Sequence, residues 1–199
     1  MSEFDQVLPS LFTQEALHDL SLVLSAAVAK MLRVKGDIYL SPTPVIRERK
    51  IVQFGKRMRV DGLEKFGVRT ILSSINFYRD KERMEQGRPI GVLVIYIPAD
   101  YIARLMWLLE YGRIDEDNEG VILDACGTLT NLIAGYFVKE LSGLGYIFLE
   151  MSHFDSYINT AVNGVTFSSE QDFKHEIEFY IRGEKKIVAE LSMGKLPRY

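Results

Sequence analysis

The stretch Asp124-Ala-Cys-Gly-Thr128-Leu-Thr-Asn131-Leu-Ile-Ala-Gly135 decides how this chain is read. Its polar residues recur at helical intervals. At about 100° per residue, Asp124, Thr128, Asn131 and Gly135 fall on one narrow stripe. The opposite side, through Ile122, Cys126, Leu129, Ile133 and Phe137, is apolar and predicts a face packed on a core. An Asn and a Gly in mid-helix give up roughly 0.5 and 1 kcal/mol relative to Ala. That choice makes sense if something approaches the stripe closely and meets the carboxamide of Asn131.

Working outward, Asp115-Glu-Asp-Asn118-Glu supplies caps for a helix from about Asn118 to Leu141, and Gly143 and Gly145 stop it. Upstream, Pro98 suits the first position of a helix carrying Tyr101, Leu105, Met106, Leu108 and Leu109 as far as Gly112. Before it, Ile90-Gly-Val-Leu-Val-Ile-Tyr-Ile97 is continuously apolar, as a central strand buried on both sides would be. Val68–Tyr78 places Ile71, Ile75 and Phe77 on one face and pairs with it as an antiparallel hairpin across the polar connection Arg79–Pro89.

Toward the N-terminus, Leu17, Leu20, Leu24, Ala27, Val28 and Met31 predict a helix from about Thr13, its plausible cap, to Leu32. A short strand over Asp37–Leu40 follows, and Pro42 and Pro44 mark a break. Val45–Ile51 and Gln53–Val60 suit strands at a sheet edge, where charges and nearby prolines are tolerated. After the stripe, strands are expected at Tyr146–Met151, Tyr157–Phe167, Phe173–Arg182 and Lys186–Met193, with Arg182-Gly183-Glu184-Lys185 as the turn between the last two. This order predicts an α+β fold, a two-layer α/β sandwich with long helices on one face of a mainly antiparallel sheet. No linker or composition shift divides the chain, so residues 1–199 are expected to form one domain. A long helix followed by strands in each half suggests an old duplication.

The chain is 47% apolar and 26% charged, with 11 Phe and 10 Tyr, enough to fill a sizeable core. Its net charge of −3 and pI of about 5.7 give no electrostatic case for nucleic acid or an anionic membrane. The short basic clusters Arg47-Glu-Arg49-Lys50 and Lys56-Arg57-Met-Arg59 read as solvated strand faces. A single cysteine, Cys126, excludes a disulfide framework and fits a reducing compartment. On the apolar helix face it reads as a buried small hydrophobe. The N-terminus has no secretory pattern and the apolar runs fall short of about 18 residues, so a cytoplasmic protein without membrane insertion is expected.

At the stripe the sequence resembles the CheC/CheX/FliY family of bacterial chemotaxis phosphatases, CheX most closely. The family signature is an acid or Ser, three residues, a Glu, two residues and an Asn, with a Gly one turn after the Asn and a Pro further along. Asp124 takes the first place, Asn131 the Asn place, and Asn131-Leu-Ile-Ala-Gly135 matches the continuation. The resemblance implies a CheX-like fold and hydrolysis of the aspartyl phosphate on a CheY-type response regulator. In that chemistry Asn131 orients a water, while Asp124, Thr128 and Gly135 belong to the partner-binding surface. It also implies a homodimer with sheets paired across subunits. Any Mg²⁺ would be supplied by the response regulator, and no cofactor is expected in this chain. Two positions depart from the pattern. The family Glu is Thr128, which carries no charge, and the family Pro falls at Phe154 in Ser-His-Phe-Asp. A non-catalytic binding or scaffolding module of the same fold, in a chemotaxis or flagellar-switch pathway, is therefore the alternative. A weaker third reading is a sensor that takes a small ligand between helices and sheet.

On the N-terminal helix Gln14, His18, Ser21 and Ser25 repeat the spacing with neither the Glu nor the Asn, so a second site is not expected. His18, His153 and His175 are scattered and show no metal-ligand spacing. No Ser-His-Asp or Cys-His nucleophile arrangement is legible. Trp107 and the Leu/Met run around it suggest core or interface.

Overall fold

A computed structural model describes the backbone of residues 3–199 and the side chains from residue 16 onward. The chain runs α1 (Glu3–Gly36), β1 (Val45–Lys50), β2 (Gln53–Phe54), β3 (Arg57–Met58), α2 (Gly62–Phe66), β4 (Thr70–Tyr78), α3 (Lys81–Glu85), β5 (Gly91–Pro98), α4 (Ala99–Leu108), α5 (Glu119–Gly143), β6 (Glu150–Met151), β7 (Asp155–Ile158), β8 (Val165–Thr166), β9 (Phe173–Ile181) and β10 (Glu184–Met193).

The main sheet has the order β1-β9-β10-β5-β4, and β6 and β7 share the outer edge of β4. Every pairing in it is antiparallel. β5 is central and buried along its whole length, as its unbroken apolar run requires. Leu93, Ile95 and Ile97 face the helices, whereas Val92, Val94 and Tyr96 belong to a second apolar cluster on the other side. The hairpin with β4 is present, and its polar connection folds into the short α3, capped by Asp80. α1 and α5 lie side by side on one face. Leu20, Leu24, Ala27, Val28 and Met31 from α1 meet Ile133, Phe137 and Leu141 from α5 over Ile71, Ile75, Phe77, Ile177 and Phe179. The expected α+β two-layer sandwich is what the chain forms.

Several boundaries differ, each for a local reason. α1 begins at Glu3 rather than Thr13; Phe4, Val7, Leu8 and Leu11 continue the helical spacing upstream. Asp37–Leu40 is not a strand, since Asp37 takes a left-handed conformation and only Leu40 bridges to Ile181. Gln53–Val60 folds back on itself at Gly55, giving the β2–β3 hairpin, which leaves the main sheet and pairs with β8. Tyr157–Phe167 is likewise two strands, parted by left-handed turns at Asn159 and Gly164. Only Glu150–Met151 of the strand expected from Tyr146 is extended in the sheet. α2, capped by Asp61 and closed by Gly67, had no periodic signal in so short a segment. α5 is long and apolar enough to cross a membrane by length and composition, contrary to the sequence expectation, and 56% of its most apolar window is buried against the rest of the fold.

Candidate functional site

α5 forms where Asn118 accepts a hydrogen bond from the Val121 amide at 3.3 Å, with Glu119 favourably placed in the first turn. Ile122, Cys126, Leu129, Ile133 and Phe137 are all buried, so the back of the helix is fixed by packing on the sheet. The stripe faces outward. Asp124 and Asn131 are exposed, and Thr128 and Gly135 are half-buried. A side chain added at Gly135 would meet no atom within 4 Å. Among the described residues, no hydrogen bond engages the carboxamide of Asn131 or the hydroxyl of Thr128. Thr130, not Thr128, bonds back to a carbonyl one turn earlier, that of Cys126 at 2.9 Å. The four sequence-singled residues thus share one accessible surface, with the amide free.

Beside the stripe, the broken edge strand brings Phe154 onto the helix. β6 and β7 both pair with β4 but are parted by Ser152–Phe154, where Ser152 caps the Asn76 amide at 3.0 Å. The ring of Phe154 then covers Gly127 so closely that a Cβ there would stand 2.1 Å from it. Gly127 is one turn before Asn131. The ring of Phe154 thus clamps the start of β7 to α5.

Cys126 is fully buried, and burial pushes its thiol pKa up to about 12. It is a packing residue, as its place in the sequence suggested. On α1 the repeated spacing does not make a second stripe. Ser21 is buried, donating to the Leu17 carbonyl at 2.9 Å and lying 2.9 Å from Nδ1 of His175. The side chain of Gln14 lies outside the described residues. His18 and His175, distant in sequence, stack edge to face with centroids 5.8 Å apart, and Glu48 stands 3.8 Å from His175 Nε2. Among the described residues, no group of three metal-ligating side chains converges. Trp107 is not core; it is 59% exposed at the end of α4.

The far face of the sheet carries a charged cleft of about 350 Å³. Glu190, fully buried, has Oε1 at 2.6 Å from Lys65 and 2.7 Å from Lys174 and takes a hydrogen bond from Tyr96 at 2.6 Å. Lys65 also pairs with Glu176, and Arg47 pairs with Glu178 at 2.6 Å. Burial alone would raise the pKa of Glu190; Lys174 and Lys65 outweigh it and hold the carboxyl below its ordinary range. These charges pair with one another and tie α2 to the sheet. Between helices and sheet, where the third reading would place a small ligand, fully buried Leu24, Ala27, Ile75, Leu93, Ile95 and Phe137 fill the space.

Neither a scan of protein-family models nor a search of curated proteins finds a match. Solved structures do match. FliY from Thermotoga maritima is 22% identical, with a TM-score of 0.57 over 92% of this chain and 91% of that one. A CheC-like superfamily protein from a Shewanella species is 16% identical, with a TM-score of 0.55 over 87% of this chain and 96% of that one. The chemotaxis protein CheX from Desulfovibrio desulfuricans is 13% identical, with a TM-score of 0.54 over 88% and 99%. The chain has the fold that these CheC-like, CheX and FliY structures share.

Proposed function

We propose that this protein docks on a phosphorylated CheY-type receiver domain and hydrolyses its aspartyl phosphate in a chemotaxis or flagellar-switch pathway. One observation carries the proposal: a free carboxamide, Asn131, projects from a helix whose opposite side is locked into the core. Phosphoryl transfer asks the protein mainly for position and charge placement. The Asn131 amide oxygen accepts a hydrogen bond from a water, and its NH₂ donates to the receiver's site. The water attacks phosphorus in line, the bond to the aspartyl oxygen breaks, and inorganic phosphate and a free carboxylate remain. The water's proton passes to phosphate or solvent. Mg²⁺ belongs to the receiver in this scheme.

Asp124, Thr128 and Gly135 form the contact surface. Thr128 offers no charge to a receiver lysine, and a missing charge-assisted hydrogen bond forfeits about 1.5–3 kcal/mol. That observation favours a second reading, in which the protein binds the receiver without accelerating phosphate loss. Following decay of an acyl-phosphorylated receiver with and without the protein separates the two. Faster decay supports hydrolysis, and Thr128→Glu should quicken it. Unchanged decay with retained binding supports the second reading. A homodimer built through sheet edges, β1 being one, completes the proposal, and light scattering at two concentrations tests it.

A further inference from the structure

The stripe on α5 is too narrow to hold a protein partner alone. It is one side chain wide and about 16 Å long, whereas a stable interface covers about 800 Å² per partner, a disc of about 16 Å radius. A receiver centred on Asn131 must rest on flanking ground. At the N-terminal end of the stripe that ground is an open groove of about 930 Å³ between α5, the β2–β3 hairpin and the loop joining β7 to β8. Leu123, which borders it, lies about 12 Å along the helix axis from Asn131 and about 80° round it, on the flank of the stripe.

The groove has the composition of a docking surface. Phe54 and Val162 stand on it 69% and 93% exposed, costly for apolar side chains that meet only water. Arg57 is held in place by bonds to uncharged acceptors, the Gly164 carbonyl at 3.3 and 3.2 Å and Thr166 Oγ1 at 3.0 Å. Two of its five N–H donors remain free. Among the described residues, no carboxylate pairs with Arg57 or with neighbouring Lys56, while the one acid in the groove, Glu119, pairs with Arg69 at 3.0 Å. A pre-ordered guanidinium beside exposed apolar groups suits an apolar patch edged by carboxylates.

We propose that this groove is the second half of the receiver-docking surface, with Phe54 and Val162 taking an apolar patch of the receiver and Lys56 and Arg57 its acidic edge. The proposal rests on the reading of Asn131 above. A phosphorylated receiver is anionic around its phosphoaspartate, and Lys56 and Arg57, which no carboxylate pairs among the described residues, supply the opposite charge on the flanking ground.

The test is calorimetric titration of the full chain with a CheY-type receiver held active by beryllofluoride and Mg²⁺. Phe54→Ser and Val162→Ser should each weaken binding about tenfold. Lys56→Glu should weaken it and flatten its dependence on salt. Melting curves must match wild type, which the exposure of all three residues favours. If wild type binds and the three groove variants bind equally well, the groove proposal is overturned and the stripe reading stands. If wild type binds no receiver, both fall. If the groove variants change only the oligomeric state, the groove is a contact between copies and the proposal is overturned.

Discussion

Replacing Gly127 by Ala probes the contact that shapes the site. The new Cβ would lie 2.1 Å from Cδ2 and Cε2 of Phe154 and 2.6 Å from Cζ. Carbon atoms rest at about 3.5–4.0 Å, so the ring or the helix must retreat by more than about 1 Å. Overpacking of this kind costs about 1–3 kcal/mol. Against it stands the helix preference of Ala over Gly, worth about 1 kcal/mol. The conflict involves the body of a ring anchored beside β7, not the tip of a flexible chain, so the upper half of the range applies. A net loss of about 1–2 kcal/mol follows, or about 2–8 °C in Tm for a chain of this size. Phe154→Ala should reverse the sign. Without the ring, Gly127→Ala keeps only its helical advantage and becomes stabilising by up to about 1 kcal/mol. Thermal melts of wild type, both single variants and the double variant give the coupling energy directly. A Gly127→Ala protein as stable as wild type, with Phe154 in place, would refute the packing argument.

Three further outcomes follow from buried groups. Cys126, its thiol raised to about 12, should resist a thiol reagent at pH 8 in the folded protein and react fully in denaturant; reaction at a free-thiol rate in the native state contradicts its burial. Glu190→Ala leaves Lys65 and Lys174 without their shared partner and should cost about 3–5 kcal/mol in a denaturant titration. Because the folded Glu190 carboxyl titrates below its unfolded value, the stability it contributes is present above about pH 4.3 and is lost as pH falls through the lower folded value. His175 is held low by burial, with Glu48 opposing and His18 adding to the shift. Because the folded His175 titrates below its unfolded value, stability should decline as pH falls below about 6.5, and His175→Asn should flatten that slope.

The layers were legible because long periodic segments carry their own proof. The stripe and its apolar back defined α5, the unbroken run before Pro98 defined β5, and the alternation of Ile177, Phe179 and Ile181 set the inner face of β9. The opposite alternation, Lys174, Glu176 and Glu178, was visible in the sequence as well. It passes for a solvated face because nothing local reveals that Lys65, on a five-residue helix, closes over it to meet Glu190. The groove escaped for the same reason. Phe54, Arg57 and Val162 are separated by long stretches of chain, and only the turn at Gly55 and the left-handed residues Asn159 and Gly164 bring them together. His18 and His175 likewise meet through tertiary packing. Phe154 stood out as a departure from a pattern, but its partner Gly127 could be named only from coordinates.

The central claim is that Asn131 does chemistry from a rigid helix and holds up nothing else. An exposed side chain that makes no hydrogen bond among the described residues should be replaceable by Ala with a stability change within about 0.5 kcal/mol. Asn131→Ala should therefore melt with wild type and still bind a beryllofluoride-activated receiver. In a time course of acyl-phosphorylated receiver, wild type should hasten phosphate release and Asn131→Ala should return it to the rate of the receiver alone. Wild-type and variant curves that coincide, with both faster than the receiver alone, would contradict the account.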